Sequence, residues 1–236
     1  PGAPDLITVR GLRALRSADV VVYDRLVHPD LLAEARPGAQ LIYAGKAPGR
    51  HAKSQDEINK LLYDLASQGL AVARLHGGDP LLYGRGEEEC AYLLSRGVEC
   101  EVVPGVPSFV GAAAEHLIPL AGRGVASEVV VSTGTYAGGS RVSEDRAKSL
   151  IELAGNAVFL MATKSYTTIL RAALHAKGRD VAVAVVERAT MGSRLVIDTA
   201  SRLLEADYRP EPPSVIIVGG GPEWRMRLGV KGASRS

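Results

Sequence analysis

Cysteine is nearly missing from this chain of 236 residues, which holds only Cys90 and Cys100. Two cysteines make neither a disulfide framework nor a zinc motif, so no metal is expected and a cytoplasmic location is. Long apolar runs are missing as well: none approaches the roughly 20 residues that a membrane helix needs. No signal-peptide pattern opens the chain. Net charge is also small, with 28 Lys and Arg against 26 Asp and Glu, or +2 with histidines neutral. The tail Glu223–Ser236 holds much of that excess, where Arg225, Arg227, Lys231 and Arg235 face Glu223. Nucleic-acid binding spreads its cations over a face of the fold, so neither nucleic acid nor membrane is an expected partner. What remains, 46% hydrophobic and 23% charged, is the composition of a globular protein with one large or two small domains.

Ile58, Leu61, Leu62 and Leu65 recur at helical spacing and predict an amphipathic helix over Gln55–Gln68. Ser54 with Glu57 reads as its capping box and Gly69 as its stop. Further helices are predicted at Leu6–Ser17, Glu87–Ser95, Pro107–Glu115, Glu144–Leu153, Tyr166–His175 and Thr199–Ala206. Between them lie Val- and Ile-rich runs: Val20–Tyr23, Gln40–Tyr43, Ala71–Leu75, Glu99–Val103, Glu128–Thr133, Ala157–Met161, Val181–Val186 and Val215–Val218. Strands alternating with helices predict an α/β fold with largely parallel sheets. Weak periodicity with Pro119, Gly122 and Gly124 marks 116–126 as a linker between α/β domains at 1–115 and 127–222, with a basic tail at 223–236. The opening Pro1-Gly2-Ala3-Pro4-Asp5 leads straight into a helix. Such a turn normally follows a strand, so a strand before Pro1 is expected, with a sheet beginning at Val20 as the alternative.

The densest chemical cluster is His76-Gly77-Gly78-Asp79-Pro80 with Gly84-Arg85-Gly86, where a strand ends and a helix begins. Open α/β sheets bind ligands at the carboxyl ends of strands, and glycines let a backbone approach closely. Asp79 reads equally as a ligand acceptor and as the cap of a tight turn. The pattern is neither GxGxxG nor a Walker loop. Glu87, Glu88 and Glu89 suit the positive end of a helix dipole. Arg85, between two glycines, suits an anion. Lys46, Arg50, His51 and Lys53 form a cationic loop that fits either a polyanionic substrate or a solvated turn. Asp24 follows a strand, and Arg123 sits in the expected linker. No Ser/His/Asp or Cys/His arrangement supports hydrolase chemistry.

These motifs resemble those of the tetrapyrrole methyltransferases over nearly the whole chain. The matching stretches include Tyr23-Asp24-Arg25-Leu26, Gly49-Arg50-His51, Gly77-Gly78-Asp79-Pro80, Gly84-Arg85-Gly86, Val103-Pro104-Gly105-Val106, Phe159-Leu160-Met161 and Glu187-Arg188-Ala189-Thr190. The Asp24 motif with the Lys46–His51 loop resembles the members that methylate uroporphyrinogen III. The resemblance implies two α/β domains with an active-site cleft between them, a homodimer, and S-adenosylmethionine as cofactor, with S-adenosylhomocysteine as its product. Two successive methyl transfers to uroporphyrinogen III would give precorrin-2 for sirohaem or cobalamin.

By the same resemblance, the cofactor would touch Pro1, Gly77, Gly78, Asp79, Leu82, Pro107, Ser108, Met161, Ala189 and Ser214. Asp24, Lys46, Arg50, His51, Arg85 and Arg123 would bind the eight-carboxylate substrate, with Arg85 and Glu88 catalytic. A guanidinium does not give up its proton near neutrality, so Arg85 is expected to orient, with Glu88 or water taking the proton. The chain departs from the family at His76, Leu81-Leu82-Tyr83, Glu87 and Pro107. Pro107 brings no N–H, leaving only its carbonyl and ring for contact. The competing readings are a relative acting on a later corrin, a diphthamide precursor or ribosomal RNA, and a non-catalytic nucleotide- or tetrapyrrole-binding module.

Overall fold

The computed structural model describes residues 1–45 and 53–229. The chain divides into two compact units, Pro1–Pro107 and Ser108–Ser236. No helix among the described residues is long and apolar enough to cross a membrane.

In the first unit, α1 (Val9–Ser17), β1 (Val20–Tyr23), α2 (Pro29–Ala33), β2 (Gln40–Tyr43), α3 (Gln55–Ala66), β3 (Val72–Leu75) and α4 (Gly86–Leu94) follow in order. The strands form a parallel sheet in the order β2-β1-β3. Alternate β1 side chains serve opposite faces. Val20 and Val22 pack with Ile58, Leu62 and Leu65 of α3 and with Leu93 of α4. Val21 packs on the other face with Leu15, Leu31 and Leu32. A strand covered on both faces has no polar side to show, hence the unbroken Val20-Val21-Val22 run. The capping box of α3 forms as expected: the Ser54 side chain accepts from the Glu57 backbone, and the Glu57 carboxylate accepts from Ser54 N–H.

Two expectations for this unit are corrected. Glu99–Val103 forms no strand; it lines, with Val72–Leu75, a cavity of about 240 Å³. Cys90 and Cys100 are joined by a disulfide with a Cα–Cα distance of 5.5 Å. After α4, a turn through Gly97 at φ 78° sends the chain back to bring Cys100 to Cys90.

The second unit runs α5 (Ser108–Glu115), β4 (Val129–Thr133), α6 (Glu144–Leu153), β5 (Asn156–Leu160), α7 (Tyr166–His175), β6 (Ala182–Glu187), β7 (Arg194–Thr199), α8 (Ala200–Glu205), β8 (Ser214–Gly219) and α9 (Gly220–Arg227). Its five strands are ordered β4-β5-β8-β6-β7. Only β4 and β5 pair in parallel, so the largely parallel expectation fails here: β8 runs against β5 and β6, and β6 against β7. Phe159, Val183, Val185 and Ile216 face one core with α6, α7 and α8. Val158, Leu160, Ala184 and Ile217 face the other, with Ala112 and Ala113 of α5.

That packing places α5 in the second unit rather than the first. The expected linker 116–126 is also built into it. Buried Asn156 donates to the carbonyls of Pro119 and Leu120, at 3.1 and 2.7 Å, and accepts from Gly221 N–H at 2.8 Å. Asn156→Leu strands these three backbone groups. It should lower unfolding free energy by about 2–4 kcal/mol in a denaturant titration.

His116, just past α5, is buried and within 2.8 Å of the Ser193 hydroxyl. Burial holds its imidazole below the usual histidine range. Glu115 opposes that shift and Arg225 adds to it. The neutral ring therefore belongs to the folded state, and the unfolded chain takes up the proton first as pH falls. Stability contributed by His116 is complete above about 6.5 and declines as pH drops below it. Melting temperatures between about pH 5 and 7.5 should fall toward the acid end, and His116→Gln should flatten that slope.

Candidate active site

The carboxyl ends of β1 and β3 lead into two turns that meet. After β1, Asp24 Oδ1 accepts from Leu26 N–H at 2.9 Å, folding the chain back. After β3 comes Gly77, where an added Cβ would lie 2.9 Å from the Leu26 side chain. Glycine is thus required for this approach.

Asp79 works as a clamp. Its Oδ1 accepts from Leu81 N–H at 2.9 Å, and its Oδ2 from Gly105 N–H at 3.0 Å. The Asp79 carbonyl also accepts from Leu82 N–H at 3.2 Å. The Gly78 and Pro104-Gly105 turns are thereby held backbone to backbone: a Cβ on Gly105 would sit 2.3 Å from the Gly78 carbonyl oxygen. Gly78, Gly105 and Pro1 line one cavity, so these bare backbones face open space. Both readings of Asp79 remain compatible, since each of its oxygens keeps a lone pair for a ligand.

Tyr83 and Arg85 adopt left-handed backbone, at φ 59° and 63°. The turn from Pro80 is tight enough for Gly86 N–H to donate to the Pro80 carbonyl at 3.0 Å. Arg85 then stands at the head of α4 and grips Glu88 with two parallel bonds, Nε to Oε1 and Nη2 to Oε2, both 2.8 Å. The Glu88 hydrogen bond raises the Arg85 pKa, and the Arg85 hydrogen bond holds Glu88 below the usual carboxylate range. A carboxylate so held is a poor proton acceptor.

Beneath the two turns lies a buried polar group that sequence reasoning passed over. Glu89 takes Arg74 Nε at 3.2 Å and Gln55 Nε2 at 3.2 Å on Oε1, with His76 Nε2 3.0 Å from Oε2. Burial pushes the Glu89 pKa up, but His76, Arg74 and Gln55 outweigh it and hold it below the usual range. Glu89 reads in sequence as one of three acids at a helix start, which hid its burial. Arg74, the sole charge in a strand of otherwise apolar residues, was the available signal.

In the second unit, three candidate residues share one end of the sheet. Met161 follows β5, Ala189 follows β6, and Ser214 opens the antiparallel β8. Met161 turns at φ 51° with 52% of its surface exposed. Its carbonyl accepts from Thr135 Oγ1 at 2.9 Å. Ser214 Oγ lies 3.2 Å from Thr163 Oγ1. Ala189 packs on the core between Arg188 and Thr190, both at positive φ. Ser108 opens α5, directly after Pro107.

The tetrapyrrole (corrin/porphyrin) methylase family matches residues 1–204. The chain belongs to this family. It is 37% identical over 228 residues to a uroporphyrinogen-III C-methyltransferase of Methanocaldococcus jannaschii, covering 93% of this chain and 92% of that one. A siroheme synthase of Thioalkalivibrio sulfidiphilus is 41% identical over 232 residues, covering 97% of this chain and 47% of the relative. The chain thus spans about half the length of several curated relatives it matches. Among solved structures, a uroporphyrin-III C-methyltransferase from Thermus thermophilus complexed with S-adenyl homocysteine superposes with a TM-score of 0.77. It is 34% identical and covers 97% of this chain and 95% of that chain.

For this methylase-family chain, the structure brings Pro1, Gly77, Gly78, Asp79 and Leu82 to one region of the first unit, with Asp24 beside them and Arg85 and Glu88 paired at the head of α4. Met161, Ala189 and Ser214 gather in the second unit, where Arg123 is exposed in a turn closed by the Gly122–Ala126 bridge. Lys46, Arg50 and His51 lie outside the described residues. So does the end of the basic tail.

Proposed function

We propose that this chain transfers methyl groups from S-adenosylmethionine to two pyrrole carbons of uroporphyrinogen III, giving precorrin-2. The observation that carries this reading is the pairing of a bare-backbone turn, Gly77–Asp79 clamped to Gly105, with Asp24 at the adjoining strand end. Whole-length similarity to the Methanocaldococcus enzyme supports it.

The residues suit the cofactor. Gly78 and Gly105 approach so closely that no side chain fits between their backbones, leaving them open to the cavity. Met161 offers an exposed apolar side chain at a strand end. S-adenosylmethionine, when bound, supplies an electrophilic methyl group, so the protein's part is alignment and exclusion of water. Pro1, Gly77, Gly78, Asp79, Leu82, Pro107, Ser108, Met161, Ala189 and Ser214 would hold it.

The substrate's carboxylates call for cations, and Arg85 and Arg123 answer for the described residues, with Lys46, Arg50 and His51 assigned the same task. Arg85 keeps Nη1 for a substrate carboxylate while Nε and Nη2 hold Glu88. Glu88, with both oxygens bonded, orients Arg85, and water takes the proton leaving the macrocycle.

The proposal includes a homodimer. Exposed Leu117 and Trp224 border a shallow apolar depression with Pro119, a surface that a second copy would cover. It also includes a cytoplasmic setting.

Release of S-adenosylhomocysteine in the presence of uroporphyrinogen III, a later corrin intermediate, a diphthamide precursor or ribosomal RNA tests the substrate. Only uroporphyrinogen III should support it; turnover on another member of the panel alone would overturn the assignment.

A further inference from the structure

Glu89 is buried and Arg74 and His76 are largely covered beside it, with side-chain exposures of 5%, 13% and 7%. Taking such groups out of water is costly, and apolar residues of similar size often stabilise a core as well. Their arrangement is directional. Arg74 Nε is held by Glu89 at 3.2 Å, and Nη1 donates to the Leu75 carbonyl at 2.8 Å. These two anchors leave Nη2 aimed at Asp24 Oδ2, 3.4 Å away. Glu89 is itself fixed by His76 and Gln55, and Gln55 in turn by Asn59 at 2.9 Å.

The geometry points to Glu89 as a positioning residue for Asp24, acting through Arg74. The buried carboxylate sets the guanidinium, and the guanidinium sets the orientation and charge of the Asp24 carboxylate at the strand end. The contact to Asp24 is long, which leaves that carboxylate with capacity to accept from a pyrrole N–H. Specificity for the macrocycle is thus set from beneath the site by a residue that never touches it. Asp79 of the adjoining turn is clamped separately, to Leu81 and Gly105. This inference rests on the proposed methylation of uroporphyrinogen III, where Asp24 meets the substrate.

Glu89→Gln keeps the shape and removes the charge. Its KM for uroporphyrinogen III should rise about tenfold, while its KM for S-adenosylmethionine stays within about twofold. A merely structural role would instead lower the active fraction, reducing kcat with both KM values unchanged. Combined with Asp24→Asn, Glu89→Gln should add almost nothing, since both act on one interaction. Arg74→Lys repeats the test should Glu89→Gln fold poorly, because it keeps the charge and loses the directed contact. Binding of uroporphyrin III, followed by its own fluorescence, reads the same effect without turnover.

An unchanged tetrapyrrole KM in both variants, or multiplicative effects with Asp24→Asn, would overturn the role of Glu89. A wild-type protein that yields no methylated tetrapyrrole would instead overturn the proposed activity. The fluorescence comparison would then still decide whether Glu89 governs tetrapyrrole binding.

Discussion

Gly105→Ala should weaken S-adenosylhomocysteine binding about a hundredfold or more, equivalent to about 2.7 kcal/mol, in a calorimetric titration. The added Cβ would lie 2.3 Å from the Gly78 carbonyl oxygen and 3.0 Å from its carbon. Both obstructing atoms are backbone, so no side-chain rotation relieves the clash. The two turns must separate, and with them goes the 3.0 Å bond from Gly105 N–H to Asp79. Affinity retained within about twofold would show that these turns do not build the cofactor site.

The second large effect is expected at Arg85. Arg85→Lys keeps the charge but loses the planar fork that makes two parallel bonds to Glu88. A lysine would also leave Glu88 free to swing and would offer substrate a point charge. We expect kcat to fall about a hundredfold with little change in cofactor affinity. Full turnover would make Arg85 a replaceable cation. Glu88→Gln distinguishes the two roles proposed for the pair: a positioning Glu88 predicts a smaller loss than at Arg85, whereas a proton acceptor predicts a loss at least as large.

The sequence showed the elements whose burial is repetitive. β1 was legible because both its faces are covered, and α3 because its apolar stripe and Ser54–Glu57 cap agree. α2, β7 and α9 were missed, α2 being only five residues long. β7 mixes Arg194 and Asp198 with apolar residues, and α9 begins with two glycines and a proline. The antiparallel course of β8 left no local mark, since direction is decided by how its buried run packs against β5 and β6. Segment 116–126 looked like a linker because glycine and proline punctuate it, yet two hydrogen bonds from buried Asn156 tie its Pro119 and Leu120 carbonyls into the core.

At the site, the motif residues were legible and their partners were not. Asp79 stood out as a strand-end acid, but its clamp on Gly105 joins positions 26 residues apart. Glu88 and Glu89 are adjacent and look alike in sequence. One lies at the surface beside Arg85; the other faces inward to Arg74 and His76. Helical geometry alone separates their tasks, because successive residues point to different sides of α4.

The most direct test of the whole account is mass analysis of the tetrapyrrole after incubation of the protein with uroporphyrinogen III and S-adenosylmethionine bearing a labelled methyl group. The account predicts a product carrying two labelled methyl groups, with a singly methylated species appearing first and then declining. A protein that binds the cofactor and the tetrapyrrole but returns the tetrapyrrole unlabelled would contradict it.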